Sequence, residues 1–281
     1  MTNAVLKTLP QNIKNRYRAF WDFSNGVLET RSVPAVLQIS RTNTCNFKCV
    51  YCSDHRVGND LPRSNLGGQT WDDLEQLVPR CSGVSFHGIS EFFIDSDFFR
   101  LVQLSGQHGV RLLLNTNGSV CTPKHIECLT SYPARLQINF SVDAATPETF
   151  ARIRGWDFWR VLRNVRSYMQ ALASREHSTW STLSYVILRS NLHEMVPFMY
   201  LASALGVNGV NFYRLHEYEG LDYTIPTKDG GTFDYRDEYV TNVPSEYNRQ
   251  IDNVRKAAEI LGLTAAIPAE VGLPNEESAV R

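Results

Sequence analysis

The sequence lacks an excess of either charge, because its 28 Lys and Arg residues stand against 29 Asp and Glu residues in a chain of 281. This balance gives no electrostatic reason to expect a nucleic-acid or membrane surface. No segment is apolar for long enough to cross a bilayer, and residues 1–33 contain no basic stretch followed by an apolar one. We therefore expect a cytoplasmic protein that binds neither nucleic acid nor membrane.

The sequence also lacks the glycine-rich loops that bind nucleotide phosphates, since neither a Walker loop nor Gly-x-Gly-x-x-Gly occurs in it. Cysteine is scarce, with six residues in total and none after Cys128. The 43% of hydrophobic residues and 20% of charged residues are ordinary for a globular protein. The grouping of the cysteines is therefore the most informative feature of the sequence.

Three cysteines lie together in Cys45-Asn46-Phe47-Lys48-Cys49-Val50-Tyr51-Cys52, shortly after a strand-like run. Three thiolates on one short loop can bind three irons of a 4Fe-4S cubane and leave the fourth iron open to a ligand that is not protein. A structural zinc ion is an alternative, and its fourth ligand would come from His55, Cys81, Cys121 or Cys128. A disulfide within the triplet is less favoured, because it would leave an odd thiol.

Hydrophobic patterns and helix-start signals predict strands that alternate with helices. Thr70, Thr122 and Thr146 each mark a helix start, the last two with a proline directly behind. Parallel strands need crossover connections, so six such units would form an open doubly wound sheet or a partial barrel. The predicted strands cover 35–40, 83–87, 110–115, 135–141, 182–188 and 210–213.

The spacing Cys45-x3-Cys49-x2-Cys52, with Tyr51 before the last cysteine, resembles the signature of the radical S-adenosylmethionine (SAM) enzymes. The resemblance implies a partial (β/α)6 TIM barrel that holds a 4Fe-4S cluster and SAM. Reductive cleavage of SAM there would give a 5'-deoxyadenosyl radical. The core is like that of SPASM/twitch-type members, many of which carry further clusters in a C-terminal cysteine-rich region. Because no cysteine follows Cys128, we expect one cluster only.

The resemblance also implies cofactor contacts at the ends of later strands. Ile89-Ser90-Glu91 falls where relatives have a Gly-Gly-Glu segment, in which Glu91 would bind the SAM ammonium, and Gly88 and Ser90 are predicted cofactor contacts beside it. Ile89 and Ser90 replace the two glycines, and Phe92 replaces the usual proline. The remaining predicted cofactor contacts are Tyr51 and Tyr213 for adenine, Ser141 for SAM, Asp143 for the ribose, Arg154 for a carboxylate, and Arg189 for the SAM carboxylate or a substrate anion.

Four further residues are predicted to face the substrate: Thr116 and Asn117 in a Thr-Asn-Gly turn, Asn139, and Asn191. Asn139, Ser141 and Asp143 alternate along one strand and should point to one face. No catalytic residue follows from the sequence, although Cys121, His216 and Glu217 are candidates.

Several of these residues also have a plain structural interpretation. Glu91 could begin a helix, Asp143 could cap a turn, Thr116 and Asn191 could belong to polar turns, and Tyr213 could be a core residue. His216 and Glu217 could equally be solvated loop residues.

We expect three regions: an N-terminal helical extension over 1–33, the barrel over 34–216, and a covering loop, helix and tail over 217–281. In the extension, the spacing of Ile13, Tyr17, Phe20 and Trp21 predicts an amphipathic helix packed on the body. The expected reaction is hydrogen abstraction from a small-molecule substrate, such as a sugar or metabolite, with flavodoxin or ferredoxin as electron donor. Peptide modification, or a non-catalytic zinc or iron-sulfur scaffold, are the alternatives.

Overall fold

The structure is a computed structural model that describes residues 8–40, 42–52, 67–88, 90–175, 179–218, 223–227 and 230–272. Its main sheet contains seven parallel strands, with β1 to β6 in chain order and β9 (Thr264–Ala266) at the edge beside β6. The first six are Val36–Ile39, Gly83–Phe86, Arg111–Thr116, Leu136–Ser141, Thr179–Ile187 and Gly209–Arg214.

The order of the strands decides between the two folds that the sequence left open. Each strand from β1 to β5 pairs with the next strand along the chain, so the strand order runs one way across the sheet. In a doubly wound sheet, the strand order reverses part-way across the sheet. The partial barrel with helical extensions is therefore confirmed. Its connecting helices are α2 (Gly68–Leu77), α3 (Phe98–Gln107), α4 (Pro123–Thr130), α5 (Pro147–Arg154), α6 (Phe158–Ala173) and α7 (Met195–Leu205).

The helix-start signals were right at two of the three threonines. The Thr122 hydroxyl accepts the N–H of His125, and the Thr146 hydroxyl accepts that of Thr149, so both cap their helices. The prediction at Thr70 is wrong, because α2 begins two residues earlier, at Gly68.

Helix α1 (Gln11–Ser24) precedes the barrel, and its apolar residues do not make the expected contact. Phe20 and Trp21 are 70% and 60% exposed, whereas Asn15 is buried. The Asn15 side chain donates to the Val33 carbonyl at 2.8 Å and accepts the Val33 N–H at 2.8 Å. A polar side chain thus attaches α1 to the chain that leads into β1, and the apolar face predicted to be buried points outward.

The segment after β6 folds back over the cysteine loop. Strands β7 (Thr224–Pro226) and β8 (Thr232–Asp234) form an antiparallel hairpin. At its base, the Tyr223 hydroxyl donates to the Val50 carbonyl at 2.7 Å, and Val50 is buried with Phe233 and Tyr235. The described part of the predicted covering loop therefore packs against the loop that contains Cys49 and Cys52.

The C-terminal part adds helix α8 (Pro244–Leu261) and a strand that the sequence did not predict. Strand β9 (Thr264–Ala266) pairs with the first half of β6, from Gly209 to Asn211. A strand of three residues is too short to show a clear alternation, which explains why the sequence did not indicate it. No helix in the described ranges is long and apolar enough to span a membrane.

Candidate active site

The carboxyl ends of the barrel strands surround a cavity of about 280 Å³. Parallel strands gather reactive groups at this end, so it is the expected position for a site. The cavity joins the three cysteines of the loop to residues from five different strand ends. It is lined by Cys45, Phe47, Cys49, Tyr51, Cys52, His87, Gly88, Ser90, Glu91, Asn115, Thr116, Asn117, Asn139, Ser141, Arg154, Ser184, Val186 and Tyr213.

The cysteine loop is attached to the barrel through its own polar groups. Asn46 donates to the Ser119 hydroxyl at 2.8 Å and accepts the Asn117 side-chain amide at 2.9 Å. The Val50 N–H donates to the Ile153 carbonyl at 2.9 Å. These bonds hold the loop at both ends, so the three thiols face one cavity.

Burial of the thiols shows what the loop needs in order to become a metal site. Desolvation by burial raises the pKa of Cys45 to about 11 and also raises the pKa of Cys49. A thiol is a good metal ligand only as the thiolate, so iron binding must displace these protons. Thiolates in such a desolvated place need a positive charge beside them, and a bound metal group would supply that charge.

The donor set fits a cubane cluster. In the described ranges, no three His, Cys, Asp or Glu side chains converge on one point as a single metal ion requires. A cubane requires no such convergence, because each of the three thiolates binds a different iron. Among the possible fourth ligands for zinc, Cys81 is buried elsewhere and donates to the carbonyls of Pro34 and Leu77. His55 lies outside the described residues.

Glu91 is a buried carboxylate held in place by the Thr-Asn-Gly turn. The Thr116 hydroxyl donates to its Oε1 at 2.7 Å, and the Asn117 N–H donates to its Oε2 at 2.6 Å. Burial raises the pKa of Glu91, although these bonds and one from the Phe93 N–H oppose the rise. A bound ammonium group would offset the desolvation of this carboxylate. Thr116 and Asn117, predicted to face substrate, thus also position Glu91.

A second hydrogen-bonded network lies beside the cysteine loop and consists of Asp143, Arg154 and Tyr51. Arg154 Nη2 is 2.5 Å from Asp143 Oδ2, which also accepts the Tyr51 hydroxyl at 2.6 Å. Arg154 Nη1 donates to Cys49 Sγ at 3.5 Å. Asp143 has φ +63° and is completely buried, so its side chain departs from the alternation that brings Asn139 and Ser141 to the cavity. This geometry does not favour its predicted ribose contact.

A band of hydrogen-bonded side chains crosses the barrel interior below the cysteines. The Asn115 amide donates to His87 Nδ1 at 3.0 Å, and the Asn139 amide donates to Asn115 Oδ1 at 2.9 Å. The Thr182 hydroxyl donates to Asn139 Oδ1, and the Asn211 amide donates to Thr182. Sequence reasoning found only Asn139. The alternation of inward-facing polar residues on β3, β5 and β6 was the signal that could have found the others.

Other predicted residues lie outside this cavity. Arg189 is half exposed and lies 3.9 Å from Asp237, while Asn191 is fully buried. His216 and Glu217 line a separate, more open cavity of about 690 Å³ beside β6, and Tyr213 belongs to the walls of both cavities. Cys121 lines neither of these two cavities, and it contacts the Tyr168 side chain instead.

One model of a known protein family matches a large part of the chain. It describes the Radical SAM superfamily and matches residues 39–199, more than half of the chain. The chain belongs to the radical SAM superfamily. Enzymes of this family bind a 4Fe-4S cluster and SAM. The matched region contains the cysteine loop and the cavity-lining ends of β2 to β5, whereas Tyr213 on β6 lies beyond it.

Curated relatives and solved structures have the same core. A probable GTP 3',8-cyclase of Saccharolobus islandicus is 26% identical over 186 residues, 64% of this chain and 56% of the relative. An AdoMet-dependent heme synthase of Methanosarcina barkeri is 23% identical over 78% of this chain and 57% of the relative. The chain spans little more than half the length of these relatives.

Among solved structures, Streptococcus suis SuiB bound to its precursor peptide SuiA superposes with a TM-score of 0.65. The two chains are 13% identical, over 89% of this chain and 51% of the other. At this identity the likeness shows the fold alone.

Proposed function

We propose that Cys45, Cys49 and Cys52 hold one 4Fe-4S cluster, and that SAM binds beside it in the 280 Å³ cavity. When bound and reduced, this pair supplies a 5'-deoxyadenosyl radical that abstracts hydrogen from an unactivated carbon. The observation that carries the proposal is the convergence of three thiols, a buried carboxylate and a buried guanidinium on one cavity.

In this proposal the protein residues bind and orient SAM. Glu91, held by Thr116 and Asn117, accepts the ammonium group, with Gly88 and Ser90 beside it. Arg154 lines the same cavity, where its guanidinium supplies the positive charge that a SAM carboxylate would pair with. Ser141 and Tyr213 lie on the same cavity wall, where the family pattern predicts contacts to SAM and adenine.

The polar band below the cysteines supports a small polar substrate, such as a sugar or another metabolite. Asn115 and Asn139 line the cavity, and hydrogen bonds to each other and to Thr182 fix the orientation of their amide groups. Polar groups that line a binding cavity favour ligands that hydrogen-bond with them. The larger cavity lined by His216 and Glu217 opens beside Tyr213 and favours a second candidate, an extended peptide substrate.

Anaerobic reconstitution tests the proposal. The reconstituted protein should contain four irons per chain and, once reduced with dithionite, convert SAM to 5'-deoxyadenosine and methionine. Cys49→Ala should lose both the cluster and the cleavage, while the matched control Cys128→Ala should retain both, because Cys128 does not line the cavity. Zinc in the anaerobically purified protein, or a cluster that never cleaves SAM, would support the non-catalytic scaffold instead.

A further inference from the structure

We infer that the Asp143–Arg154 pair is an oriented dipole whose positive end makes the iron-sulfur cluster easier to reduce. The inference rests on the proposed function to the extent that Cys49 must be a cluster ligand. It concerns a role of Arg154 that is separate from binding SAM, and it requires no SAM to be present.

Contacts around Arg154 place its positive charge against one cysteine. Nη1 donates to Cys49 Sγ at 3.5 Å, and this sulfur stands for the iron-bound thiolate of the loaded enzyme. Arg154 and Cys49 are both buried, at 6% and 7% exposure, so water screens their interaction little. Charge-assisted hydrogen bonds are stronger than neutral ones, and hydrogen bonds to cluster sulfurs influence reduction potentials.

Asp143 fixes the direction of this charge. Its Oδ2 binds Arg154 Nη2 and the Tyr51 hydroxyl, and its Oδ1 accepts the Val186 N–H at 2.8 Å. Asn191 in turn donates to the Asp143 carbonyl at 3.0 Å and supports the left-handed backbone there. The guanidinium therefore lies between a fixed carboxylate and Cys49, with its positive end on the cluster side.

The sign of the effect follows from charge. One electron from a low-potential donor adds one negative charge to the cluster, and no covalent bond changes in that step. A nearby cation stabilises the reduced form and raises the reduction potential, whereas a nearby carboxylate lowers it. Removing Arg154 and removing the charge of Asp143 should therefore shift the potential in opposite directions.

The test is a redox titration of the reconstituted cluster, followed by electron paramagnetic resonance in the absence of SAM. At a fixed potential, Arg154→Gln should decrease the ratio of reduced to oxidised cluster at least tenfold, a shift of about 59 mV for one electron. Arg154→Lys, which keeps the charge, should lie closer to the unmodified protein. Asp143→Asn should increase the ratio. The matched control is Arg152→Gln on the same helix, whose side chain donates to the Ser190 carbonyl and should leave the ratio unchanged.

The outcomes separate this inference from the proposed function. If the unmodified protein forms no cluster, both the proposed function and this inference fail. If clusters form with four irons and Arg154→Gln leaves the potential unchanged, only the dipole is refuted. Shifts in the same direction for Arg154→Gln and Asp143→Asn would also refute it, because general disturbance of the loop predicts one sign. Iron content of each variant confirms that an intact cluster is being titrated.

Discussion

Replacing Asn191 with Ala should destabilise the fold, although the family pattern predicts a substrate contact at this position. The Asn191 side chain is fully buried and makes three hydrogen bonds to the backbone. Its amide donates to the carbonyls of Asp143 and Val186 at 3.0 Å each, and its Oδ1 accepts the Leu188 N–H at 2.8 Å. These bonds join the ends of β4 and β5 behind the cavity wall.

The magnitude follows from the number of bonds and their burial. Each buried hydrogen bond contributes about 1 kcal/mol net, and a buried group left without a partner costs about 1–3 kcal/mol. We therefore expect Asn191→Ala to lower the free energy of unfolding by about 3–5 kcal/mol. For a protein of this size, each kcal/mol shifts the melting temperature by roughly 2–4 °C, so the decrease should be at least roughly 6 °C.

Thermal and urea denaturation of the metal-free protein, followed by circular dichroism, would measure this loss. Asn25→Ala is the matched control, because the Asn25 amide donates to the Trp21 carbonyl at an exposed helix end and should cost under about 0.5 kcal/mol. Asn191→Asp should be at least as harmful as Ala, since it places a carboxylate against two carbonyl oxygens. A stable Asn191→Ala protein that binds SAM but fails to turn over would refute the structural role and support the substrate contact.

Three further predictions concern other positions in the structure. Burial lowers the pKa of His125, whose ring contacts the Phe93 carbonyl at 3.0 Å, so the native state resists its protonation. The free energy of unfolding should therefore fall as pH drops below about 6.5, where the unfolded chain binds the proton, and His125→Gln should flatten that slope in urea titrations. Gly88→Ala should lower the melting temperature, because a Cβ there would lie 2.1 Å from Ser40 Oγ; adding Ser40→Gly should restore it. In metal-free protein at pH 8, Cys45, with its pKa of about 11, should react with iodoacetamide about 10-fold more slowly than an exposed thiol, because its smaller thiolate fraction outweighs the greater nucleophilicity of that thiolate, as measured by mass spectrometry. Equal rates would contradict the burial of Cys45.

Local signals predicted much of the fold correctly. The caps at Thr122 and Thr146 depend on residues within three positions of each other, so they can be read from a short stretch. The helix expected within 217–281 is α8, and its ends follow local signals, because Pro244 begins it and Gly262 follows it. Helix α1 shows the limit of such signals, since periodicity predicts an apolar face but not whether anything covers it.

The amino-acid sequence was sufficient to indicate the family, because the spacing of Cys45, Cys49 and Cys52 requires only eight consecutive residues. It was also sufficient for the alternation of strands and helices. Which polar strand-end residues reach the cavity became clear only from the packed fold. Asp143 leaves the expected face because its backbone turns left-handed, and it meets Tyr51, 92 positions away, only through long-range packing. Such contacts depend on how separate elements pack together, which no local pattern specifies.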